Sequence, residues 1–254
     1  MTLTVAGAPL VAYLLASIRI LSWLAVVPPF SGRSVPAMAK VVLSLGLAFA
    51  VVPAAEQIPL DTVGLLLNVV TQVLVGVAMG FVTHLLLAAI AAAGSLVDVF
   101  GGFSLAQGFD PLSMNSNTVF GTFHQQMATV LLFVSGGHLL VIGGLLRTFH
   151  FLPLGTTPDW AGAPDVLLTA FRLFFVTAVQ IALPMIAVLF LSDLGLALLT
   201  KVAPQLNAIS VMFPAKIGVT LLLLGLSLPV LPGAASRLVD LATQAMASLA
   251  GGAG

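Results

Sequence analysis

Four ionisable side chains, His84, Asp98, His138 and Asp193, fall inside stretches that are otherwise apolar. Acids and imidazoles in that setting are the residue types that relay protons or bind ions within a membrane. Their plainer use is as hydrogen-bonded packing groups, and a histidine with no acid near it in sequence is often satisfied by a carbonyl. Arg19 raises a sharper version of the same question. A guanidinium inside an apolar run costs on the order of several kcal/mol unless it snorkels to the interface, joins a structural ion pair or meets a partner subunit. No HExxH, GxSxG or paired-aspartate pattern accompanies these residues, which leaves intramembrane proteolysis without machinery. Zinc, P-loop and dinucleotide motifs are missing too. The chain has no cysteine, so thiol and disulfide chemistry are excluded.

A second group is polar by position. Residues 103–117, FSLAQGFDPLSMNSN, interrupt two of the longest apolar runs. Asp110-Pro111 is a turn signal, because the residue before proline is pushed out of the α region and Asp bonds its own backbone two residues on. Gly101, Gly102 and Gly108 relax backbone sterics, while Ser113, Asn115, Ser116 and Asn117 supply hydrogen-bonding partners. Non-helical backbone of this kind is tolerated at membrane depth only inside protein or beside a water-filled cavity.

The elements around these residues are set by composition. Of 254 residues, 60% are hydrophobic and 6% charged, and eight basic residues balance eight acidic ones. That describes an integral membrane protein with no basic surface for nucleic acid. The first apolar run, from about Ala8 to Val27, is long enough to cross a bilayer, reads as a retained helix rather than a cleaved signal, and stops at Pro28-Pro29 with an extended exit. A shorter run, Ala37 to Val52, carries Lys40 near its start. From Thr62 the chain is apolar for roughly forty residues, too long for one straight crossing, which predicts a bend or division near Gly94. Gly76 and Gly80 form a GxxxG pair within it, and Ala88/Ala92 and Ala89/Ala93 repeat the spacing that lets another helix approach closely. Val119 to Leu146 contains Gly136-Gly137-His138, where close packing or a bend is expected. Asp165 to Lys201 is again double length and is expected to split or kink at Pro184. A polar hinge, residues 199–214, precedes the runs Ala215 to Val230 and Ala234 to Leu249.

Taken together, the ordered pattern FSGRSVPAMAK, GSLVDVFGGFSLAQGFDP, GGHLLVIGGLLRTFHFLPLG and ALPMIAVLFLSDLGLALLTKVAPQLNAISVMFP resembles the FliR family of flagellar and related type III secretion export-gate proteins. The likeness runs from about Leu21 to Pro232, and its strongest signatures are Ala203 to Asn207 and Gly136 to Pro153. Gly102, Ser104, Asp110, Pro111, Gly137, His138, Pro184, Pro204, Gln205, Asn207 and Pro214 match the family pattern. Departures fall at Ser95, where the family commonly has Glu, at Phe100-Gly101 in place of Gln-Met, and at Asp193 in place of Asn.

The resemblance implies an all-α fold of membrane-associated helical hairpins: a FliP-like unit over residues 1–165, carrying a central plug loop at 103–117, then a FliQ-like kinked hairpin and C-terminal helix over residues 166–254. It implies a subunit of the bacterial inner membrane and flagellar basal body, assembled with FliP-like and FliQ-like subunits and other export proteins around a path for unfolded flagellar proteins. No enzyme activity and no cofactor are implied. Gly102, Phe103, Ser104, Leu105, Phe109, Asp110, Pro111 and Met114 are the expected plug residues, with Phe103, Leu105, Phe109 and Met114 supplying compliant bulk. Gly76, Gly80, His138, Pro184, Pro204, Gln205 and Asn207 are expected to pack the helices and subunits. The rival reading is a small-solute or proton-coupled transporter working through His84, Asp98, His138 and Asp193.

Overall fold

The computed structural model of the chain describes residues 2–32, 34–51, 61–103, 118–203 and 208–252. Among these residues every regular element is helical, as an all-α fold requires. In order they are α1 (Thr2–Val26), α2 (Ala37–Ala48), α3 (Thr62–Gly101), α4 (Val119–Val134), α5 (Gly137–Phe151), α6 (Ala163–Val202), α7 (Ala208–Ser227), a single 3-10 turn (Leu228–Val230) and α8 (Leu231–Leu249). By length and composition, Pro9–Val26, Thr62–Gly101, Ala163–Val202 and Pro214–Leu249 can each cross a membrane. Counting α4 and α5 as one broken span brings the number to five.

The expected divisions near Gly94 and at Pro184 do not occur, and the exit from α1 differs. Helix α3 does not divide near Gly94 but continues from Thr62 to Gly101. It contains no proline, and Gly76, Gly80 and Gly94 sit where other backbones press against it, so nothing opens its hydrogen-bond ladder there. At 1.5 Å per residue it is about 60 Å long, twice a hydrocarbon core of ~30 Å and so longer than one perpendicular crossing needs. Helix α6 likewise runs through Pro184, whose missing N–H costs only the bond to the Gln180 carbonyl. After α1 the chain makes a turn at Pro28-Pro29 instead of an extended exit, with the Ser31 N–H donating to the Val27 carbonyl at 2.9 Å. Between α4 and α5, Gly136 adopts φ +73°, a left-handed conformation that ends one helix and starts the next.

The chain forms two compact units that interleave in sequence. The first comprises Met1–Leu87, Gly136–Arg172 and Leu238–Gly254; the second comprises Ala88–Ser135 and Leu173–Arg237. In the first, Leu15, Ile20, Trp23 and Leu24 of α1 are buried with Met79, Val82 and Leu86 of α3 and with Leu145 and Phe149 of α5. The GxxxG pair brings α3 onto α1. A Cβ at Gly76 would overlap the Arg19 carbonyl, and one at Gly80 would lie 3.0 Å from Val26 Cβ. Where lipid is as apolar as the side chains, such van der Waals contact is what holds helices together. Tyr13 secures α2 by donating to the Leu45 carbonyl at 2.9 Å. Gly144 of α5 meets Thr243 and Met246 of α8 in the same way.

In the second unit, the last turns of α3 pack on α4, and α6 pairs with α7. Ala89, Ile90, Ala93 and Val97 are buried with Phe120 and Leu132, and Ala178, Ile181, Ala182, Met185 and Leu189 form the inward face of α6. The other faces of α6 are exposed and apolar, with Phe175, Phe190, Leu191 and Leu198 all open.

Candidate functional site: the stems of the 103–117 segment

The two ends of the polar interruption meet in the second unit. On the upstream side α3 ends at Gly101, and Gly102 takes φ +82°. Phe103 then lays its ring edge-on to that of Phe120, with centroids 4.8 Å apart. On the downstream side α4 begins after Thr118, an N-cap whose hydroxyl makes no capping bond. That hydroxyl instead lies 2.9 Å from Ser95 Oγ. The cap comes from α3: Asp98 Oδ2 accepts from the Phe120 N–H at 2.8 Å and from the Gly121 N–H at 3.0 Å. These are the second and third amides of α4, the donors an N-cap side chain ordinarily satisfies.

Glycines make this geometry possible. A Cβ at Gly94 would overlap the Phe120 carbonyl, and one at Gly121 would overlap the Thr118 and Ser95 hydroxyls. The α3 and α4 backbones therefore touch, and Asp98, 1% exposed, is sealed between them. A carboxylate at a helix N-terminus is also favoured by the helix dipole. His124 is buried one turn further along α4, its Nδ1 donating to the Phe120 carbonyl at 2.9 Å. Among the described residues, Asp98 Oδ1 and His124 Nε2 have no hydrogen-bonding partner. Ser95 stands where the resemblance puts a glutamate; the acid of this segment is Asp98, three residues on and facing the same helix.

The other polar groups flagged from the sequence are structural in placement. Arg19 is fully buried in the first unit, so it does not snorkel, and among the described residues it meets no carboxylate. Its Nε donates to Gln72 Oε1 at 2.6 Å, a terminal nitrogen donates to the Leu152 carbonyl at 3.0 Å, and its guanidinium lies 4.2 Å from the Phe149 ring centroid. His84 Nδ1 donates to the Val26 carbonyl at 3.1 Å. Asp193 accepts from Lys216 at 2.8 Å, and its side chain is 38% exposed. The base sits across the α6/α7 pair, 23 residues on, which is why it is not evident in the local sequence.

Of the expected plug residues, Gly102 and Phe103 lie at the upstream stem; Ser104, Leu105, Phe109, Asp110, Pro111 and Met114 lie outside the described residues. Pro204, Gln205 and Asn207 also lie outside them. Gly76 and Gly80 face α1 of the same chain, His138 is half-buried at the start of α5, and Pro184 is exposed on α6. Sequence reasoning missed Thr118, Phe120, Gly121 and His124 as the receiving end of the clamp. A serine or threonine just before an apolar run was the available signal for a helix start. No cluster of three or more metal-ligating side chains occurs among the described residues.

Helices throughout the described residues, with four or five segments of bilayer length, define a multi-pass helical membrane protein. The family described as bacterial export proteins, family 1, matches residues 10–242, and the chain belongs to that family. The flagellar biosynthetic protein FliR of Escherichia coli (strain K12) is 33% identical over 216 residues, covering 84% of this chain and 83% of that protein. FliR of Bacillus subtilis (strain 168) is 30% identical over 219 residues, covering 84% of each. The secretion system apparatus protein SsaT of Salmonella typhimurium is 29% identical over 159 residues, covering 62% of this chain and 61% of that one. The chain is thus a component of a flagellar or type III export apparatus in the bacterial inner membrane, and the other components of that apparatus are its partners.

Proposed function

We propose that this chain is the FliR-like subunit of a flagellar export gate in the basal body. It forms part of the pore through which unfolded flagellar proteins pass, and residues 103–117 help to plug the resting channel. Its partners in this reading are FliP-like and FliQ-like subunits, matched by a FliP-like part before about residue 165 and a FliQ-like hairpin after it. A pore wide enough for an unfolded chain dissipates ion gradients when open, so it needs an obstruction that yields to polypeptide and reseals. Phe103, Leu105, Phe109 and Met114 supply adaptable apolar bulk between Gly102 and Asp110-Pro111.

The observation that carries this reading is the clamp at the segment's base. Asp98 and the Phe103/Phe120 contact tie both stems together, as expected of a segment held in a fixed place. The open apolar faces of α6 fit burial against lipid or sister subunits. The transporter reading is disfavoured by the same geometry, because Asp98 caps a helix, Asp193 is paired and His84 is bound to a carbonyl. Deleting residues 103–117 in cells and measuring entry of small solutes tests the plug. A leak through a fully assembled complex is expected; a tight membrane would count against plugging.

A further inference from the structure

Helices α5 and α8 leave a cavity of about 430 Å³ between them in the first unit. A Cβ at Gly144 would meet Thr243 and Met246, and one at Gly252, just past α8, would meet the Phe151 ring, so the two helices run in the same direction. Gly143, beside that close approach, faces open space, and its missing side chain leaves the cavity unfilled. The two walls differ in chemistry. Helix α5 contributes Leu139, Leu140 and Phe151, all exposed. Helix α8 turns Leu238, Val239, Ala242 and Met246 inward and presents Asp240 and Gln244 to the cavity. An acid and an amide are costly against acyl chains, whereas an apolar wall beside a polar one suits the boundary between acyl chains and headgroups.

The charges narrow the occupant. Arg147 of α5 and Asp240 of α8 both line the cavity, and among the described residues neither side chain has an ion-pair partner. Arg237, one turn before Asp240 on the same helix, does not pair with it either. A ligand that engages both must carry a negative and a positive group a few bonds apart. We propose that this cavity binds the headgroup of a zwitterionic phospholipid of the phosphatidylethanolamine class. Arg147 donates to the phosphate, Asp240 accepts from the primary ammonium, and an acyl chain covers Leu139, Leu140 and Phe151. A purely anionic headgroup would meet the Asp240 carboxylate without a cation to offset it. A choline headgroup has no N–H to donate to that carboxylate. A free solute with the same charges would leave the α5 wall wet. The site lies apart from the 103–117 segment and does not depend on the plug reading.

The test uses the assembled complex in lipid nanodiscs containing phosphatidylethanolamine with a photoreactive group in its acyl chain, which leaves the headgroup intact. Peptide mass spectrometry then maps the labelled residues. Label is expected on residues 139–151 and 240–247. Unlabelled phosphatidylethanolamine should displace it better than phosphatidylglycerol or phosphatidylcholine by roughly threefold, the scale of one partly exposed ion pair. Asp240→Asn should remove that preference, and Arg147→Gln should weaken labelling by roughly three- to tenfold, since it loses a charge-assisted bond to phosphate. Gly143→Leu fills the cavity and should abolish the label at unchanged complex yield. Gly46→Leu, also placed in open space but on α2, should leave it intact. Label that falls elsewhere, or that persists in Gly143→Leu at equal yield, would overturn the site. Equal displacement by all three lipids, or a preference that survives Asp240→Asn, would overturn the headgroup assignment. Cross-links from α5 and α8 to a sister subunit, with no lipid label there, would give the cavity to protein and overturn the proposal.

Discussion

Arg19 provides the most quantitative test of how the first unit is held. Its guanidinium makes three contacts: Gln72 on α3, the Leu152 carbonyl that follows α5, and the Phe149 ring within α5. Among the described residues no carboxylate is a partner, and there the buried cation sets its desolvation cost against neutral groups. Arg19→Ala removes both donors and the bulk of a fully buried side chain. Two acceptors left without donors at about 1–3 kcal/mol each, plus a cavity, less the relief of a buried charge, give a net loss of about 3–5 kcal/mol. Arg19→Met refills the space and should cost only about 1–3 kcal/mol. The double variant Arg19→Met/Gln72→Leu also removes one orphaned acceptor and should recover part of that loss. The assay is heating of the assembled complex in detergent, followed by gel filtration of the surviving folded fraction. At 2–4 °C per kcal/mol for a chain of this size, Arg19→Ala should lower the midpoint by roughly 6–20 °C. The double variant should melt between Arg19→Met and the parent. A double variant that melts below Arg19→Met would show that the two side chains are not a coupled unit, and the reasoning fails.

Other substitutions separate close packing from backbone conformation. Gly76→Ala must push its methyl into the Arg19 carbonyl and should destabilise by about 1–3 kcal/mol, whereas Gly46→Ala in α2, with open space around it, should gain up to about 1 kcal/mol in the same heating assay. Gly136→Ala meets no neighbour, so its cost of about 1–2 kcal/mol is the left-handed backbone alone, and Gly136→Asn should lose less. Asp193→Asn breaks a partly exposed ion pair, for a loss of about 0.2–1 kcal/mol and no loss of export in a motility assay. Abolished motility with a fully assembled complex would instead revive the transporter reading of that acid.

Much of the architecture was legible because apolar runs and their polar breaks map directly onto helices and connections. The starts of α2 and α3 at Ala37 and Thr62 follow Pro36 and Asp61, and the break at Gly136 follows from its freedom to take positive φ. Length and a single proline did not predict a division: α3 and α6 are longer than a bilayer, yet neither divides at Gly94 or Pro184. A helix ends only where its hydrogen-bond ladder is opened and another geometry is better satisfied, and neither residue supplies that alternative. The polar partners were illegible for a different reason. Gln72 and Leu152 lie 53 and 133 residues from Arg19, Lys216 lies 23 from Asp193, and the amides capped by Asp98 belong to another helix. Such pairings depend on helix rotation and crossing, which local spacing does not encode. Small residues at Gly76, Gly80, Gly94 and Gly121 mark where helices touch, but sequence alone does not say which neighbour they receive.

The central claim is that residues 103–117 obstruct a conduit, and its most direct measurement is ion conductance of the purified assembled complex in a planar bilayer, with and without those residues. The parent complex should be silent, and the deletion complex should show sustained open-channel currents. Silence from both, with the deletion complex intact and still engaging export cargo, would contradict the account.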